Sequence, residues 1–311
     1  MRLVFMGTPE FAVPSLKALL NSSHEITGVV TQPDRPRGRG KKLQPPPVKE
    51  AAAVAGLPVS QPIAMKEKEF LTRLKQWQPE VIVVVAFGRI LPREILDLPS
   101  KGCINLHASL LPRYRGAAPI HRAVMNGETE TGVTTMWMVP QLDAGDIILQ
   151  EKLPIGPDAT TGEIHDRLAV MGAELLEHTL DLVAAGQAPR QPQDEALATY
   201  APPLKPEEEM INWAQPADNI YNLIRGLNPW PGAYTLRAGE RLKVYGARIL
   251  DAAATGVPGQ VVAVTGEGFV VQAGRGRLLI TAVQPQGKRI MPADAYLRGY
   301  PLATGEVLGC V

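Results

Sequence analysis

Two polar side chains, Asn105 and His107, stand two positions apart in a short apolar run, residues 104–107. In a β-strand such residues share a face, so the amide and the imidazole project together while Leu106 points to the opposite layer. An amide and an imidazole can bind an oxygen that gains charge during acyl transfer, or move a proton. The alternative is that a neighbouring loop merely satisfies both polar groups.

The segment that follows contains a proline and is predicted to be a loop. Its residues are Ser109, Leu110, Leu111 and Pro112. Because Pro112 cannot continue a strand, the segment is expected to offer backbone groups and two leucines to a flat, partly apolar ligand.

A carboxylate stands further along the chain, in the polar loop 142–146 between two predicted strands. Asp143 in this loop could lie beside the imidazole of His107 and fix its tautomer, or accept a proton from a substrate. Asp146 is the alternative carboxylate, but its place at the start of a strand is typical of a structural turn or cap.

A basic segment with glycines and prolines is the third candidate site. Its cations are Arg35, Arg37, Arg39, Lys41 and Lys42. Such a charge run is usually a solvated surface. Glycines on both sides of Arg39 would also suit a loop that folds against a phosphate backbone.

The elements that position these residues alternate in the first part of the chain, which predicts an α/β fold with a Rossmann-like, open, largely parallel sheet. The predicted strands are residues 3–6, 26–31, 81–86, 104–107, 133–139 and 147–153. Apolar residues at helical spacing predict helices around residues 70–74 and 164–183. The carboxyl ends of parallel strands are where open α/β sheets bind ligands, so Asn105 and His107 stand at the expected place.

Composition changes after residue 189, and we expect a second domain. Residues 1–189 are predicted to form the first domain and residues 190–207, rich in proline, a linker. Residues 208–311 are predicted to form a small OB-like β-barrel, because short alternating runs are separated by glycine turns. Its strands are expected at residues 241–249, 260–264, 268–273 and 277–283, after a helix at 218–227.

Several classes of function lose support from the sequence. Residues 7–12, after the first strand, have neither a dinucleotide nor a P-loop glycine pattern and are predicted to turn into a helix. The 32 basic and 31 acidic residues give a net charge of +1, so any polyanion site must be local. Cys103 and Cys310 form no disulfide framework or zinc motif, and no metal is expected.

The longest apolar run, residues 81–87, is far shorter than the roughly 20 residues that a membrane span requires. The N-terminus has no apolar stretch long enough for a signal-peptide core, so we expect a cytoplasmic protein without membrane partners.

The combination of N-x-H-x-S-L-L-P at residues 105–112 with L-D-A-G-D at residues 142–146 resembles the signature of the 10-formyltetrahydrofolate-dependent formyltransferases. Within that family, further segments resemble the members that act on methionyl-tRNA. These segments are residues 7–11, 31–36, 38–42, 113–120 and 228–231.

The resemblance implies 10-formyltetrahydrofolate as formyl donor, without a metal, and the amine of initiator methionyl-tRNA as acceptor. It implies that Asn105 and His107 bind the formyl oxygen and that Asp143 sits beside them, either orienting His107 or taking a proton. The roles implied for the remaining residues are folate binding by Ser109, Leu110, Leu111 and Pro112, and tRNA binding by Arg39, Lys41 and Lys42.

Other acceptors and other classes of function remain alternatives at this point. A related formyltransferase could act on a sugar nucleotide or on glycinamide ribonucleotide, and a silent tRNA- or folate-binding module would lack the catalytic set. The second domain and the basic segment favour a large anionic acceptor. We expect a monomer.

Overall fold

The structure is a computed structural model that describes residues 1–37 and 42–309. Its residues cluster into two compact units. The first comprises Met1–Pro119, Glu130–Pro154 and His165–Pro202, and the second comprises Ile120–Thr129, Ile155–Ile164 and Pro203–Val311. None of the helices in this described part of the chain is both long and apolar enough to cross a membrane.

The first unit is built on a sheet whose centre is parallel. Its strands and an additional hairpin are β1 (Arg2–Gly7), β2 (Glu25–Val30), β3 (Arg35–Arg37), β4 (Lys42–Gln44), β5 (Val59–Ser60), β6 (Val81–Val85), β7 (Cys103–His107), β8 (Glu130–Trp137) and β9 (Ile147–Pro154). The sheet has the order β5-β2-β1-β6-β7-β8-β9, and β3 pairs only with β4. In this order the neighbouring strands β5, β2, β1, β6 and β7 are parallel. Strand β8 is antiparallel to β7, and β9 is antiparallel to β8.

Helices connect or follow these strands. In the first unit they are α1 (Val13–Leu20), α2 (Pro47–Val54), α3 (Lys68–Gln76), α4 (Arg93–Leu96) and, from His165 onward, α6 (Thr161–Ala184), whereas α5 (Pro119–Met125) belongs to the second unit from Ile120. Every residue of β6 is buried, as its unbroken run of valine and isoleucine predicts for a central strand. On one face of the sheet, Phe70 and Leu74 of α3 pack with Ile82 and Val84 of β6 in a single apolar cluster.

The second unit is an antiparallel sheet with helices beside it. Its elements are α7 (Ala217–Gly226), β10 (Tyr234–Arg237), β11 (Glu240–Asp251), β12 (Val261–Thr265), β13 (Gly268–Gln272), β14 (Arg277–Pro285), β15 (Met291–Pro292) and α8 (Ala293–Gly299). The strand order is β10-β11-β14-β13-β12, with β15 beside β14. Ile220 and Ile224 of α7 pack with Phe269 of β13 in the core of this unit.

The C-terminal segment of the described chain bridges the two end strands of this sheet. The backbone N–H of Val261 in β12 donates to the carbonyl of Glu306, and the N–H of Gly309 donates to the carbonyl of Leu236 in β10, both at 2.8 Å. The segment thereby takes the place of a closing strand. The fold class predicted from the sequence is confirmed, a Rossmann-like parallel-dominated sheet followed by an antiparallel β domain.

The proline-rich residues predicted as a linker are ordered along the first unit as far as Pro202. Gln191 forms a bridge to Ile147, and Tyr200 forms one to Arg115. Their backbone groups are therefore hydrogen-bonded to protein, which composition alone did not predict.

Candidate active site

Strand β7 carries Asn105 and His107 near its carboxyl end, between β6 and β8. Asn105 is opposite Val84 on one side and Met136 on the other, and its side chain is half-buried. His107 is the last residue of the strand and is only 7% exposed. The two-residue spacing keeps both on one face, as the sequence predicts.

Both ring nitrogens of His107 face oxygen atoms. Nε2 lies 2.9 Å from the carbonyl oxygen of Tyr114, which can only accept, so Nε2 carries a hydrogen and donates it. Nδ1 lies 3.7 Å from Oδ2 of Asp143, too far for a direct hydrogen bond. The structure thus brings His107 and Asp143 together and leaves a gap between their polar atoms.

The carboxylate of Asp143 is held by a backbone hydrogen bond. Its Oδ2 accepts a hydrogen bond of 2.8 Å from the N–H of Gly116, and the side chain is 13% exposed. Asp143 itself has φ of 49°, in the left-handed region that non-glycine residues rarely adopt. Such a conformation is retained only where the surroundings hold it, and it is frequent at functional sites.

Asp146, the alternative carboxylate of this loop, makes structural contacts. Its carbonyl accepts from the N–H of Trp137 at 2.9 Å, and its carboxylate is 3.7 Å from Nη1 of Arg190. It therefore helps to begin β9.

Some side chains of the loop predicted to hold a flat ligand are engaged in contacts within the protein. Ser109 donates from Oγ to the carbonyl of Arg113 at 2.6 Å, and its side chain is buried. Leu111 is also buried, in a small apolar cluster with Met136 and Ile147. Leu110 and Pro112 are half-buried and remain available to a ligand. The backbone N–H of Leu111 donates to Oγ1 of Thr134 and its carbonyl accepts from Nε2 of Gln150, and folate binding by Ser109 and Leu111 stays a prediction.

A cavity of about 250 Å³ opens at the neighbouring strand ends. Its walls include Thr8 after β1, Gln32 after β2, and Phe87 and Gly88 after β6. The order of the strands along the chain reverses between β1 and β6, and such switch points are where open α/β sheets bind ligands. The cavity lies one strand away from β7.

The basic segment is described only at its two ends. Arg39 and Lys41 lie outside the described residues, and Lys42 is the first residue of β4, whose partner β3 is antiparallel to it. The hairpin begins beside an anchored carboxylate: Asp34 accepts from Nζ of Lys49 at 2.8 Å and from Nε2 of Gln61 at 2.7 Å. These donors, that of Gln61 first, lower the pKa of Asp34.

Two residues near the candidate site were not assigned a role from the sequence. Arg115 is buried to 2% exposure, and Gln193 contacts it from the proline-rich segment. Arg115 stands within the R-Y-R-G motif that carries part of the family resemblance, but no pattern indicated Gln193. Their contacts join the loop after β7 to the Asp143 loop.

The remaining candidate chemistry is limited. Burial raises the pKa of the Cys103 thiol to about 12, as expected of a structural cysteine, while Cys310 lies outside the described residues. Within residues 1–37 and 42–309, no group of three histidine, cysteine, aspartate or glutamate side chains is placed to hold a metal ion.

Comparison with known proteins identifies the class of protein that this fold and these residues define. Residues 1–180 match the formyl transferase family, and residues 203–301 match the formyl transferase C-terminal domain, so the chain belongs to the formyl transferases. It is 76% identical to methionyl-tRNA formyltransferase of Moorella thermoacetica over the whole length of both chains. It is 55% identical to the enzyme of that name from Pelotomaculum thermopropionicum, over 99% of each chain.

A solved structure shares the fold at low sequence identity. It is the N-formyltransferase from Helicobacter canadensis in complex with folinic acid and dTDP-3-aminofucose. The TM-score is 0.66 at 18% identity, over 91% of this chain and 98% of the other.

Proposed function

We propose that the chain transfers the formyl group of 10-formyltetrahydrofolate to the amine of methionine on initiator methionyl-tRNA. The observation that carries the proposal is the arrangement of Asn105, His107 and Asp143 at the end of β7, in a formyl transferase closely similar to methionyl-tRNA formyltransferases. The product would be N-formylmethionyl-tRNA, used to initiate translation.

The reaction requires an oxyanion to be stabilised. The methionine amine attacks the formyl carbon and loses a proton, the bond from that carbon to the folate nitrogen breaks, and tetrahydrofolate leaves as that nitrogen takes up a proton. Asn105 is assigned as a neutral amide donor to the formyl oxygen, and His107 as a second donor. Because Nε2 of His107 donates to Tyr114, Nδ1 is the ring nitrogen that faces the substrate, and it donates to the formyl oxygen only when both ring nitrogens carry a hydrogen.

Asp143 is assigned to the proton that the attacking amine loses. Its Oδ2 stands close to Nδ1 of His107 without bonding it, so an amine or a water molecule that approaches both atoms from the side would be placed to give its proton to the carboxylate. The carboxylate is also placed to orient the imidazole of His107. Both roles use the same position of the carboxylate.

The folate is assigned to the loop of Ser109, Leu110, Leu111 and Pro112. The half-buried Leu110 and Pro112 support apolar contacts with the pterin. We propose that Arg39, Lys41 and Lys42 bind the tRNA, since Arg35 of β3 and Gln44 of β4 form part of the cavity wall.

The domain assignment supports a macromolecular acceptor. We propose that residues 1–189 are catalytic, that 190–207 connect the domains, and that 208–311 form an OB-like domain that adds tRNA contacts. We also propose that the protein acts as a monomer in the cytoplasm. Light scattering of the purified protein, with a mass of 33.6 kDa expected, tests whether it is a monomer.

The acceptor is tested by incubating the protein with radiolabelled 10-formyltetrahydrofolate, total aminoacyl-tRNA and, in parallel reactions, a dTDP-amino sugar and glycinamide ribonucleotide. We expect label on methionyl-tRNA only, recovered as formylmethionine after hydrolysis. Label on the sugar or on glycinamide ribonucleotide, with none on tRNA, would replace the proposed acceptor.

A further inference from the structure

Residues 191–201, here called the strap, run along the loop that follows β7. At its start, Gln191 exchanges two backbone hydrogen bonds with Ile147, at 2.8 and 3.0 Å. Further along, the strap exchanges backbone hydrogen bonds of 2.7 to 3.3 Å with residues 112–118. That loop supplies the carbonyl and the N–H groups that hold the candidate catalytic side chains. The strap is thus attached to the site itself.

One side chain of the strap joins the two loops of the site. Nε2 of Gln193 donates to the carbonyl oxygens of Asp143 and Gly145, each at 2.8 Å. Its Oε1 accepts from Nε and Nη2 of Arg115, at 3.1 and 2.8 Å. All four bonding positions of the amide are occupied, which fixes both its place and its orientation.

Arg115 is fixed in turn by a carboxylate at the surface. Nη1 and Nη2 donate to the two carboxylate oxygens of Glu195, at 3.0 and 2.7 Å. This paired geometry lowers the pKa of Glu195 through hydrogen bonding and raises that of Arg115. Arg115 is buried while Glu195 is 69% exposed, so Gln193 contacts the buried member of this ion pair.

The backbone of the Asp143 loop is not expected to keep its conformation without the hydrogen bonds from Gln193. Asp143 is in the left-handed region, with φ of 49°. At Gly145, an added Cβ would collide with the carbonyl oxygen of Trp137, so the loop packs against β8 at a point where only glycine fits. The two hydrogen bonds from Gln193 fall on either side of this approach.

We propose that Gln193 is a positioning residue for formyl transfer, holding the Asp143 loop so that the carboxylate stays beside His107, with Arg115 holding Gln193. This inference rests on the proposed function of Asp143 and His107. It assigns a part of the active site to the proline-rich segment between the two domains, outside the two motifs that carry the catalytic residues. Gln193 acts through the loop and does not itself touch substrate.

The decisive variant is Gln193→Glu, which keeps the acceptor for Arg115 but loses both donors to the Asp143 loop. We expect kcat for methionyl-tRNA to fall about 10–100-fold, because displacement of a reacting group by about 1 Å has effects of that size. KM for each substrate should change less than about twofold, since the substrate contacts remain. Gln191→Glu is the matched control, an exposed glutamine of the same strap given the same charge, and should behave as the wild type.

A second variant separates loss of the hydrogen bonds from the added charge. Gln193→Met has a similar size, removes all four hydrogen bonds and adds no charge, and it should show the same loss of kcat with unchanged KM. A loss of kcat in Gln193→Glu alone would trace to charge and overturn the inference. A rise of KM for either substrate at unchanged kcat would overturn it as well.

The inference and the proposed function fail in different ways. If Asp143→Ala lowers kcat strongly but both Gln193 variants match Gln191→Glu, the positioning role is wrong and the catalytic set stands. If Asp143→Ala itself transfers formyl groups at the wild-type rate, the catalytic assignment is wrong. The thermal denaturation midpoint of each variant, compared with the assay temperature, identifies any loss of activity that is due to unfolding. Such a loss would indicate a structural role and count against positioning.

Discussion

Oδ2 of Asp143 and Nδ1 of His107 lie 3.7 Å apart, and each residue is held by a different backbone group. The carboxylate accepts a hydrogen bond from the N–H of Gly116, while Nε2 of the imidazole donates to the carbonyl of Tyr114. Neither side chain needs the other to stay in place. A third polar atom can therefore approach both from the side, as an amine that loses a proton during attack requires.

Replacing His107 by alanine is expected to lower kcat for formyl transfer by about 10²–10⁴-fold, because an oxyanion donor and a proton-transfer group are lost together. Steady-state kinetics with methionyl-tRNA measure the effect. His178→Ala is the matched control, since His178 is an exposed residue of α6 and its loss should leave kcat unchanged. Near-normal turnover of the His107 variant would remove this residue from the catalytic set.

The charge of Asp143 can be tested separately from its hydrogen bond. Asp143→Asn keeps an oxygen for the N–H of Gly116 but cannot take a proton, so kcat should fall about 10²–10³-fold with the fold intact. Asp146→Asn, in the same loop, removes the same charge from a weak and exposed ion pair and should have little effect. Equal activity of the two variants would contradict a role for the carboxylate charge.

The main parts of the site were predictable because they depend on local periodicity. The spacing of Asn105 and His107 decides their common face, and the burial of β6 follows from its unbroken apolar run. Short elements were missed: β5 has two residues, and α2 begins at the last of three consecutive prolines. Neither is long enough to show a periodic pattern.

The role of the strap could not be read from the sequence for a different reason. Gln193 acts through contacts with Asp143 and Arg115, which are 50 and 78 positions away. The prolines around it are equally typical of a free linker and of an extended segment hydrogen-bonded to a neighbour. Only the tertiary structure distinguishes these two.

The second unit contains an ion pair whose contribution to stability depends on pH. The carboxylate of Glu208 accepts from Nη1 and Nη2 of Arg122 at 2.5 and 2.9 Å, and from the N–H of Lys205 at 2.8 Å. These donors, the guanidinium first, lower the pKa of Glu208 to about 2. Since the folded-state pKa lies below the unfolded value near 4.5, the stabilisation is complete above that value and is lost as the pH falls through about 2.

Glu208→Gln should therefore lower the free energy of unfolding by about 1 kcal/mol at pH 7, a value reduced for the one-third exposure of the carboxylate. The difference from the wild type should shrink at pH 3, measured by urea unfolding at both pH values. Glu207→Gln, an exposed neighbour, is the matched control and should not differ from the wild type at either pH. A difference for Glu208→Gln that is the same at pH 3 and pH 7 would exclude ionisation as its cause.

Arg39 is the residue of the basic segment that we expect to contribute most to acceptor recognition. Because glycine has no side chain, the glycines on both sides of Arg39 in the sequence are expected to let the guanidinium approach nucleic acid closely, where it can bind phosphate through two donors or stack on a base. Arg39→Ala should lower kcat/KM for initiator methionyl-tRNA by an amount equivalent to about 1–3 kcal/mol, with folate affinity unchanged. Lys41→Ala and Lys42→Ala should have smaller effects and flatten the salt dependence, as expected of phosphate contacts.

The Arg39 comparison is made on one preparation, with kcat/KM for methionyl-tRNA and the folate dissociation constant measured together. Arg73→Ala, which removes an exposed arginine from α3, is the matched control for the loss of one positive charge. If Arg39→Ala and Arg73→Ala have the same tRNA kinetics, the effect is one of net charge and the segment is a solvated surface. If folate affinity falls in parallel with kcat/KM, Arg39 supports the folate site and the proposed recognition of tRNA is wrong.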